Sequence, residues 1–566
     1  MAMEHKTAVG APKPPTEISP GRRTAILVTV LAAAFMDFLD NGIVVLAVPA
    51  IQADLGGGPG AVQLTIAGYT LAFAVGLVTG GRIGDVFGRR RVFLIGTVGF
   101  VITSVMCGMA PTIEVLMIAR IAQGLTAALT VPQVLAIIKA TYPPGKLKGP
   151  LAAFGAMAGV ANVSGPLVAG LLIESDFGGL GWRVIFLVNI PVGILVLLAT
   201  ALLIPETRSQ NPPRLDLAGV AFLTAALLLV VYPLVEGPRI HWPWWLIVMP
   251  LAAIPVLWWF WRVERRHEQT GGWPLLPTVM FTDRSLAAGL VLHVLLFSGI
   301  ASFFMVSAIT LQSGLGFSVL GAGLTSLPWP VALIIFSGIG LALVARMGRR
   351  LLSLGALMMV AGMGVLMWSV SAQGAELSAL HLAPGLALAG TGMAFIAPSL
   401  MDLVLSAAST RDAGAVSGAL NTALQVGTAL GIAVLGLIFF VRLDANATDQ
   451  ATALRSEVQA AVVAEGLPPS TADEITTAYG ACFEARFSAD ASTKPSPDCA
   501  HADSLMDQAS VDTETVSDMV DHHSAVAHTR SFADSLWYGI AVFGVSFALI
   551  GFLPRRMGER DVAPPK

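Results

Sequence analysis

Long apolar runs separated by short polar links dominate the pattern along this chain. A helix that crosses a bilayer needs about 20 predominantly apolar residues. Fourteen runs approach or exceed that length, at 25–48, 61–81, 92–110, 113–139, 150–173, 184–204, 217–235, 243–261, 286–312, 320–344, 351–372, 381–405, 414–440 and 535–553. The pattern therefore predicts an all-α integral membrane protein with 14 transmembrane helices, numbered below as spans 1 to 14.

Composition agrees with this pattern and excludes several classes of protein. Of the 566 residues, 55% are hydrophobic and 12% are charged, and the mean hydropathy is +0.75. A soluble domain carries about 25% charged residues, so a soluble enzyme, a nucleic-acid-binding protein and a disordered chain are all excluded. Three cysteines are too few for a disulfide scaffold or a cysteine-rich metal site.

The basic residues predict which side of the membrane each link faces. If the amino terminus is cytoplasmic, most of the 33 Lys and Arg residues fall on the tails and on the links of that side. The six short links on the other side hold only Arg183 and Arg239. Because Lys and Arg are retained in the cytoplasm, the tails 1–24 and 554–566 are both predicted to be cytoplasmic.

An internal repeat divides the predicted spans into groups. The link after span 2 contains Gly-Arg-Arg at 88–90, and the link after span 10 contains the same tripeptide at 348–350. Eight spans separate the two copies, whereas transporters are often built from two six-helix halves. The simplest arrangement is 6+2+6, with halves at 25–204 and 286–553 and two inserted helices at 217–261. A long outer link, 441–533, interrupts the second half.

Few ionisable residues lie at membrane depth, and such residues are functional candidates by default. Span 1 carries Asp37 and Asp40 on one helix face, and span 4 carries Arg120. Counted from opposite ends of their helices, Asp40 and Arg120 fall within about one turn of the same depth. They form either a pair in which Asp40 gains and loses a proton or a fixed ion pair that holds spans 1 and 4 together.

Other candidates lie in the links and in later spans. The link after span 2 combines small and charged residues in a tight turn, namely Gly81, Gly84, Asp85, Gly88, Arg89 and Arg90. In span 5, the small residues permit close helix contact and the proline predicts a kink, at Gly165, Pro166 and Gly170. Polar side chains that would line a central cavity are Asn41, Asn162, His293, Asn421 and Gln425.

Six stretches together resemble the major facilitator superfamily, specifically its fourteen-helix drug:proton antiporter branch of the multidrug efflux type. They are the link motif at 81–91, the span 1 signature at 39–49, the span 4 motif at 116–124, the span 5 motif at 164–170, and the stretches 182–191 and 418–427. The span 5 motif is the form found in antiporters rather than symporters. The resemblance covers essentially the whole chain except the tails and the last outer link.

The resemblance implies roles for particular residues. Asp40 would be the proton-coupling carboxylate and Arg120 its partner, while Gln123 and Gly124 belong to the same span 4 motif. Asp85 would hold the cytoplasmic end of span 13 in the outward-facing state and release it on closure.

Span 1 departs from the family signature at three positions. Gly42 stands where Thr is usual, and Val45 stands where Asn is usual. Asp37 is an additional acid.

The last outer link has a composition of its own. Residues 441–533 contain fifteen Asp and Glu but only five Lys and Arg, and parts of the link have the apolar spacing of amphipathic helices. Cys482 and Cys499 lie here on the oxidising side, which predicts a disulfide between them. His522 and His523 are expected to be solvated. The link would either recruit a partner or shield the outer mouth of a cavity.

Together these features predict a proton-coupled exporter of the cytoplasmic membrane that works by alternating access. It would use the proton motive force and no cofactor or metal, and its partners would be protons, membrane lipids and a small lipophilic or cationic substrate. It would be a monomer with no nucleic-acid partner and no catalytic group. The alternatives are a proton symporter that imports a metabolite and a non-transporting receptor or scaffold that acts through the outer link.

Overall fold

A computed structural model describes most residues between 19 and 551, and these form helices joined by turns. Besides the two ends of the chain, it leaves out 57–58, 144–145, 209–215, 238–239, 241, 271–273, 277, 279, 281–282, 408–412, 465–467, 488–498, 500, 503 and 506–512. The predicted carboxyl-terminal tail and residues 1–18 lie outside the described residues. No β-strand occurs among the residues described, so the all-α prediction is confirmed.

Seven helices form the amino-terminal part of the chain. They are α1 (Pro20–Leu55), α2 (Pro59–Phe87), α3 (Arg89–Gly108), α4 (Ile113–Thr141), α5 (Lys148–Glu174), α6 (Val184–Leu187) and α7 (Asn189–Leu203). The first helix begins five residues before the predicted span because Ser19 caps it and Pro20 fits the first helical position. Predicted span 6 is divided into α6 and α7, and α5 continues through Pro166.

Seven further helices make up the middle of the chain. They are α8 (Leu217–Glu236), α9 (Trp244–Gln269), α10 (Arg284–Ile309), α11 (Val319–Ser326), α12 (Pro328–Met347), α13 (Arg349–Gln373) and α14 (Ala379–Ala407). A π-helical turn, Thr310–Gly314, ends α10. Such turns interrupt regular helices and are frequent at functional sites.

The last three helices replace most of the predicted outer link with regular structure. Helix α15 (Ala413–Ala464) is 52 residues long and continues far past the predicted end of span 13, while α17 (Thr513–Ile550) begins well before predicted span 14. Between them lies α16 (Pro469–Phe487). The described parts of 441–533 therefore form a helical bundle, called the 441–533 bundle below.

The 441–533 bundle has a hydrophobic core of its own. Its buried residues recur at helical spacing and are Ala447, Ala451, Leu454, Val458, Val462, Ala472, Ile475, Phe483, Val516 and Val520. A disulfide joins Cys482 and Cys499. The expectation that His523 is solvated is wrong: it is buried, its Nδ1 lies 2.8 Å from Gln450 Oε1, and its Nε2 lies 3.3 Å from Glu457 Oε2.

Among the described residues, 12 helical segments are long and apolar enough to cross a membrane. The count becomes 13 if Gln63–Leu77 and Thr79–Phe87, which meet at a 46° bend in α2, form one span. In α5, the apolar segment Ser164–Glu174 is shorter than a full span. The fourteen-span count and the 6+2+6 arrangement therefore stay predictions.

Small residues allow α2 and α4 to pack backbone against backbone. A Cβ atom at Gly80 would overlap the carbonyl oxygen of Ala128, and one at Gly124 would overlap that of Tyr69. Such close approach is typical of membrane helices, where packing and hydrogen bonds replace the hydrophobic effect as the source of association. These contacts fix the depth of α4 relative to α2.

The amino- and carboxyl-terminal parts of the chain meet near the 441–533 bundle. Gln312 Nε2 donates to the backbone oxygen of Leu46 at 3.0 Å, and Glu174 Oε1 accepts from the backbone N–H of Leu320 at 2.9 Å. A Cβ atom at Gly170 would lie 2.9 Å from the Cβ of Leu320. The end of the molecule that carries the bundle is thus closed by contacts between α1, α5, α10 and α11.

Candidate proton-coupling site

Asp40 and Arg120 form a buried ion pair between α1 and α4. Arg120 Nη1 lies 2.6 Å from Asp40 Oδ2, and their side chains are 0% and 1% exposed. The structure therefore brings together the acid and the base whose depths the sequence predicts to match. Charges at such depth persist only when they are paired and hydrogen-bonded.

Three further polar side chains complete the cluster around Asp40. Asp40 Oδ1 accepts from Asn189 Nδ2 at 2.8 Å and from Gln123 Nε2 at 3.2 Å. Ser104 Oγ accepts from both amides, at 2.9 Å from Gln123 and 3.3 Å from Asn189. Both oxygens of the carboxylate thus have donors, and the cluster ties α1 to α3, α4 and α7.

Aromatic rings surround the guanidinium group of Arg120. Its Cζ lies 4.1 Å from the centre of the Tyr69 ring and 5.6 Å from that of Phe186. Arg120 also donates through Nη1 to Gln123 Oε1 at 2.7 Å, whereas its Nε and Nη2 have no hydrogen-bond partner among the described residues. Stacking on a ring is worth about 2 kcal/mol when the cation is desolvated, so Arg120 has a second means of stabilisation besides Asp40.

Asp37 is the second acid of α1 and lies apart from this network. Its side chain is buried, and both carboxylate oxygens have no hydrogen-bond partner among the described residues. A buried carboxylate without a partner is costly, so Asp37 needs either a proton or a bound ligand that donates to its oxygens. The two acids that the sequence places on one face of span 1 thus differ in their surroundings. Asp40 belongs to the hydrogen-bonded cluster, and Asp37 does not.

The predicted link at 81–91 is helical except at Gly88, so the prediction of a tight turn over the whole stretch is wrong. Apart from Gly88, the small and acidic residues of the cluster lie in the last turns of α2, and its arginines begin α3. Asp85 pairs with Arg89 at 2.9 Å, and Gly88 has a φ of 106°, which favours glycine. The side chain of Glu206 accepts from the backbone N–H groups of Arg90 and Arg91, each at 3.2 Å. In this conformation Asp85 therefore contacts its own link; residues 408–412, which precede α15, lie outside the described residues.

Within the rest of this link, Gly84 and Gly81 have different neighbours. A Cβ atom at Gly84 would overlap the Gln133 side chain of α4, whereas one at Gly81 would make only an ordinary contact with Pro132. Gln133 Nε2 in turn donates to the backbone oxygen of Gly80 at 2.9 Å. The link is thus anchored to α4 as well as to α3.

The span 5 motif lies against α1 and α11. A Cβ atom at Gly165 would lie 3.4 Å from Gly42 Cα, and one at Gly323 of α11 would lie 2.9 Å from the backbone oxygen of Pro166. A Cβ atom at Gly42 itself would make only an ordinary contact, 3.7 Å from Gly165 Cα, so packing does not explain the departure of Gly42 from the family signature. Gly170 packs on α11 at the closed end.

The remaining polar candidates are scattered. His293 stacks near Phe297, with ring centres 5.6 Å apart, and Gln425 is buried on α15 one turn from Asn421. Asn41 is half-buried on α1, and the Asn162 side chain lies outside the description. None of the contacts described joins them to Asp40. Among the described residues, no group of three or more His, Cys, Asp or Glu side chains could hold a metal ion.

Four residues of the site and link are not among the sequence candidates. Ser104, Asn189 and Tyr69 surround Asp40 or Arg120, and Glu206 caps the start of α3. Asn189 is a polar residue inside an apolar run, within the family-like stretch 182–191. This placement is the one signal in the sequence that could have identified Asn189 as part of the site. Serine and tyrosine are too common in spans to be singled out without coordinates.

The fold and the buried charges describe a multi-pass membrane protein built around polar groups between helices. The family described as the Major Facilitator Superfamily matches residues 30–235 and 217–432. The chain belongs to this family, whose members are transporters rather than enzymes. It is a multi-pass protein of the cell membrane.

Relatives and a solved structure agree with this assignment. The chain is 36% identical over 545 residues to the "Probable actinorhodin transporter" of Streptomyces coelicolor, covering 95% of this chain and 93% of that protein. It is 32% identical over 443 residues to the "Tetracenomycin C resistance and export protein" of Streptomyces glaucescens, covering 78% and 80%. The predicted resemblance to the drug-efflux branch is confirmed.

The fold itself resembles that of a bacterial homolog of the human lysosomal transporter Spinster, solved in an inward-facing and unoccupied conformation. The TM-score is 0.58 at 14% identity, covering 94% of this chain and 98% of the other. At this identity the likeness shows the fold alone.

Proposed function

We propose that the chain is a proton-coupled efflux transporter that exchanges a small lipophilic or cationic substrate for protons. The observation that carries this proposal is the buried Asp40–Arg120 pair, in which Gln123 of α4 and Asn189 of α7 also donate to Asp40. A carboxylate that neighbouring groups stabilise at membrane depth can bind a proton when that balance changes. The names of the relatives, which describe export and resistance, favour efflux over import.

Proton binding at Asp40 changes the charge balance of the cluster. While Asp40 is ionised, its charge offsets that of Arg120, and the amides of Gln123 and Asn189 stabilise it. Once protonated, Asp40 no longer attracts Arg120, whose guanidinium still lies over the Tyr69 ring. The contact between α1 and α4 weakens, which permits the helices to rearrange.

The 14 spans are proposed to be arranged as 6+2+6, with both termini in the cytoplasm and the 441–533 bundle outside. This orientation is supported by the basic links and by the disulfide of the bundle, since disulfides persist in oxidising surroundings. The closed end of the molecule is then the outer end. With its outer end closed, the protein is proposed to be in an inward-facing state.

Asp37 is proposed to contribute to substrate binding or to a second protonation. Its buried oxygens have no protein partner among the described residues. A cationic substrate would supply the missing charge, and a proton would remove the need for one. If Asp37 binds the substrate, Asp37→Asn should reduce transport of cationic substrates alone. If Asp37 binds a second proton, Asp37→Asn should reduce transport of all substrates.

Export by the purified full-length protein in liposomes tests the proposal. Vesicles are loaded with ethidium, and its movement is followed with and without a proton gradient. With ethidium at equal concentrations on both sides at the start, we expect wild-type protein to accumulate ethidium on one side only when the proton gradient is present, and Asp40→Asn to abolish this accumulation. Asp534→Asn, which removes a half-exposed carboxylate 3.8 Å from Arg442, is the matched control and should transport normally.

The outcomes of this experiment separate the alternatives. Transport that ignores both the gradient and the Asp40→Asn change would show that Asp40–Arg120 is a fixed ion pair and would overturn the proposal. Ethidium movement together with protons in one direction would identify a symporter. Absence of any transport by wild-type protein, across a panel of lipophilic cations, would favour a receptor or scaffold.

A further inference from the structure

A second group of buried ionisable side chains lies far along the chain from Asp40, where α8 begins and α9 ends. Asp216 is the N-cap residue of α8, and Glu264 lies near the end of α9. Asp216 is 5% exposed and Glu264 is fully buried. The proposed transport mechanism uses neither residue. Two ionised carboxylates in contact within a buried site repel each other, so their arrangement needs an explanation.

Each carboxyl group uses one oxygen for backbone donors and turns the other toward its partner. Asp216 Oδ1 accepts from the Gly219 N–H at 2.9 Å, and Glu264 Oε2 accepts from the Leu276 N–H at 3.1 Å. Among the described residues, the remaining oxygens, Asp216 Oδ2 and Glu264 Oε1, are buried with no hydrogen-bond partner. Both lie within 2.6 Å of the position that a Cβ atom at Gly219 would occupy. Two carboxyl oxygens that face each other in this way can form a hydrogen bond only if one of them carries a proton.

A histidine and an arginine face this pair among the described residues. His267 Nδ1, on α9, lies 3.3 Å from Asp216 Oδ2, and Arg82, on α2, interacts electrostatically with both acids. Arg82 also donates to the backbone oxygen of Pro274. Because Arg82 belongs to the 81–91 link motif, the pair lies next to the link that carries Asp85.

The hydrogen bonds indicate which acid carries the proton. Burial raises the pKa of the Asp216 carboxyl group. The hydrogen bonds it accepts from the Gly219 N–H and from Glu264, together with nearby His267, outweigh burial and lower that pKa below its ordinary value. Asp216 is therefore the ionised member of the pair, and Glu264 is the donor.

We propose that Asp216 and Glu264 form a second proton-binding site, which holds one shared proton and fastens the α8–α9 hairpin beside the link between α2 and α3. With the proton present, the pair carries one negative charge, which faces the positive charge of Arg82. Release of the proton to water leaves two carboxylates in contact. Their repulsion separates the start of α8 from the end of α9 and alters the surroundings of Arg82. Proton binding here is thereby linked to the conformation of the link.

Infrared absorption of the purified full-length protein in lipid nanodiscs tests the site directly. Protonated carboxyl groups absorb separately from carboxylates. We expect Glu264→Gln to remove the absorption of one protonated carboxyl group at neutral pH. The matched control is Glu268→Gln, one turn further along α9, whose carboxylate accepts from the Thr278 N–H at 3.2 Å; it should leave the absorption unchanged. Equal absorption in wild-type and Glu264→Gln protein would overturn the proposal.

The pH dependence of unfolding supplies a second readout. The folded protein binds the shared proton at a pH at which the unfolded chain has already lost it. The free energy of unfolding should therefore fall as the pH rises, until the folded protein also loses the proton. The unfolding equilibrium constant should rise up to about tenfold per pH unit, and this rise should be absent in Glu264→Gln but retained in Glu268→Gln. A rise of equal steepness in Glu264→Gln would contradict a proton at this site.

Two provisions keep this test decisive. If Glu264→Gln does not fold, the double variant Asp216→Asn with Glu264→Gln replaces it, because two amides can hydrogen-bond without a proton. Both readouts measure bound protons rather than transport, and Asp40 is unchanged in every variant. Failure of this proposal therefore leaves the role of Asp40 untouched, and a transport defect in Asp40→Asn does not bear on this pair.

Discussion

At the residue scale, the Asp40 carboxylate has donors from two helices, namely Arg120 and Gln123 of α4 and Asn189 of α7. The sequence predicts the depth of Asp40 and Arg120 because charged residues are rare in apolar runs and helix rise is constant. It does not predict Ser104, Asn189 and Tyr69, because their contact with the pair depends on how α2, α3 and α7 rotate about their axes. That rotation is a property of packing and cannot be obtained from one helix at a time.

Replacing Asn189 with alanine should shift the pH dependence of transport. The side-chain amide donates to Asp40 Oδ1 at 2.8 Å and stabilises the ionised form more than the protonated form, whose oxygens are weaker acceptors. We therefore expect the midpoint of efflux against pH to move higher, because loss of this donor disfavours the ionised carboxylate.

Ser104→Ala provides the control for this shift. Ser104 accepts from the amides of Gln123 and Asn189 but does not contact the carboxylate. Its replacement should move the midpoint less than Asn189→Ala does. An unchanged midpoint in Asn189→Ala, measured as initial rate across the same pH series, would show that Asp40 is not the group that titrates during transport.

At the element scale, small residues and a disulfide determine how the helices are held together. The sequence predicts the existence of the spans, but it does not predict the 46° bend in α2 or the length of α15. Periodicity defines a helix by its apolar face, and the face of α15 continues from lipid into the core of the 441–533 bundle without interruption. A membrane boundary within one continuous helix has no signal in that pattern.

Gly80→Ala should destabilise the packing of α2 on α4. A Cβ atom there would overlap the carbonyl oxygen of Ala128, and overpacking of this kind costs about 1–3 kcal/mol. The control is Gly364→Ala in α13, where a Cβ meets nothing within 4 Å, so the alanine should be neutral or stabilising by up to about 1 kcal/mol. The midpoint of thermal unfolding in detergent distinguishes them. Equal midpoints for both variants would contradict the close approach of α2 and α4.

The number of free thiols among the three cysteines can be counted. Cys482 and Cys499 are joined, and Cys107 is a free thiol buried near Gln123 Oε1, at 3.6 Å. Alkylation of the denatured protein should therefore modify one thiol before reduction and three afterwards. Mass spectrometry of the intact protein gives this count. Three modified thiols without reduction would show that the 441–533 bundle is not cross-linked.

At the scale of the whole molecule, the two parts of the chain are in contact at the end that carries the 441–533 bundle, and the basic links are proposed to lie on the cytoplasmic side. The sequence predicts this orientation from the distribution of Lys and Arg. It does not predict which end is closed, because contacts such as Gln312 with Leu46 join helices far apart in the chain. A single sequence also holds no record of the other conformations that transport requires.

The proposed orientation can be tested with two engineered thiols. Ser19 precedes α1 and Ser456 lies in the bundle, and both are exposed. In intact cells, a membrane-impermeant maleimide should label Ser456→Cys but not Ser19→Cys, whereas both should react after permeabilisation. Labelling of Ser19→Cys in intact cells would place the amino terminus outside and would reverse the assigned direction.

Proton movement driven by substrate is the most direct test of coupled exchange through Asp40. Full-length protein is reconstituted in vesicles that contain a pH-sensitive dye, and a substrate gradient is imposed with no initial difference in pH. Wild-type protein should drive protons opposite to the substrate, and Asp40→Asn should leave the internal pH unchanged. Substrate movement with no accompanying change in pH, or an equal change in the Asp40→Asn protein, would contradict proton exchange at this carboxylate.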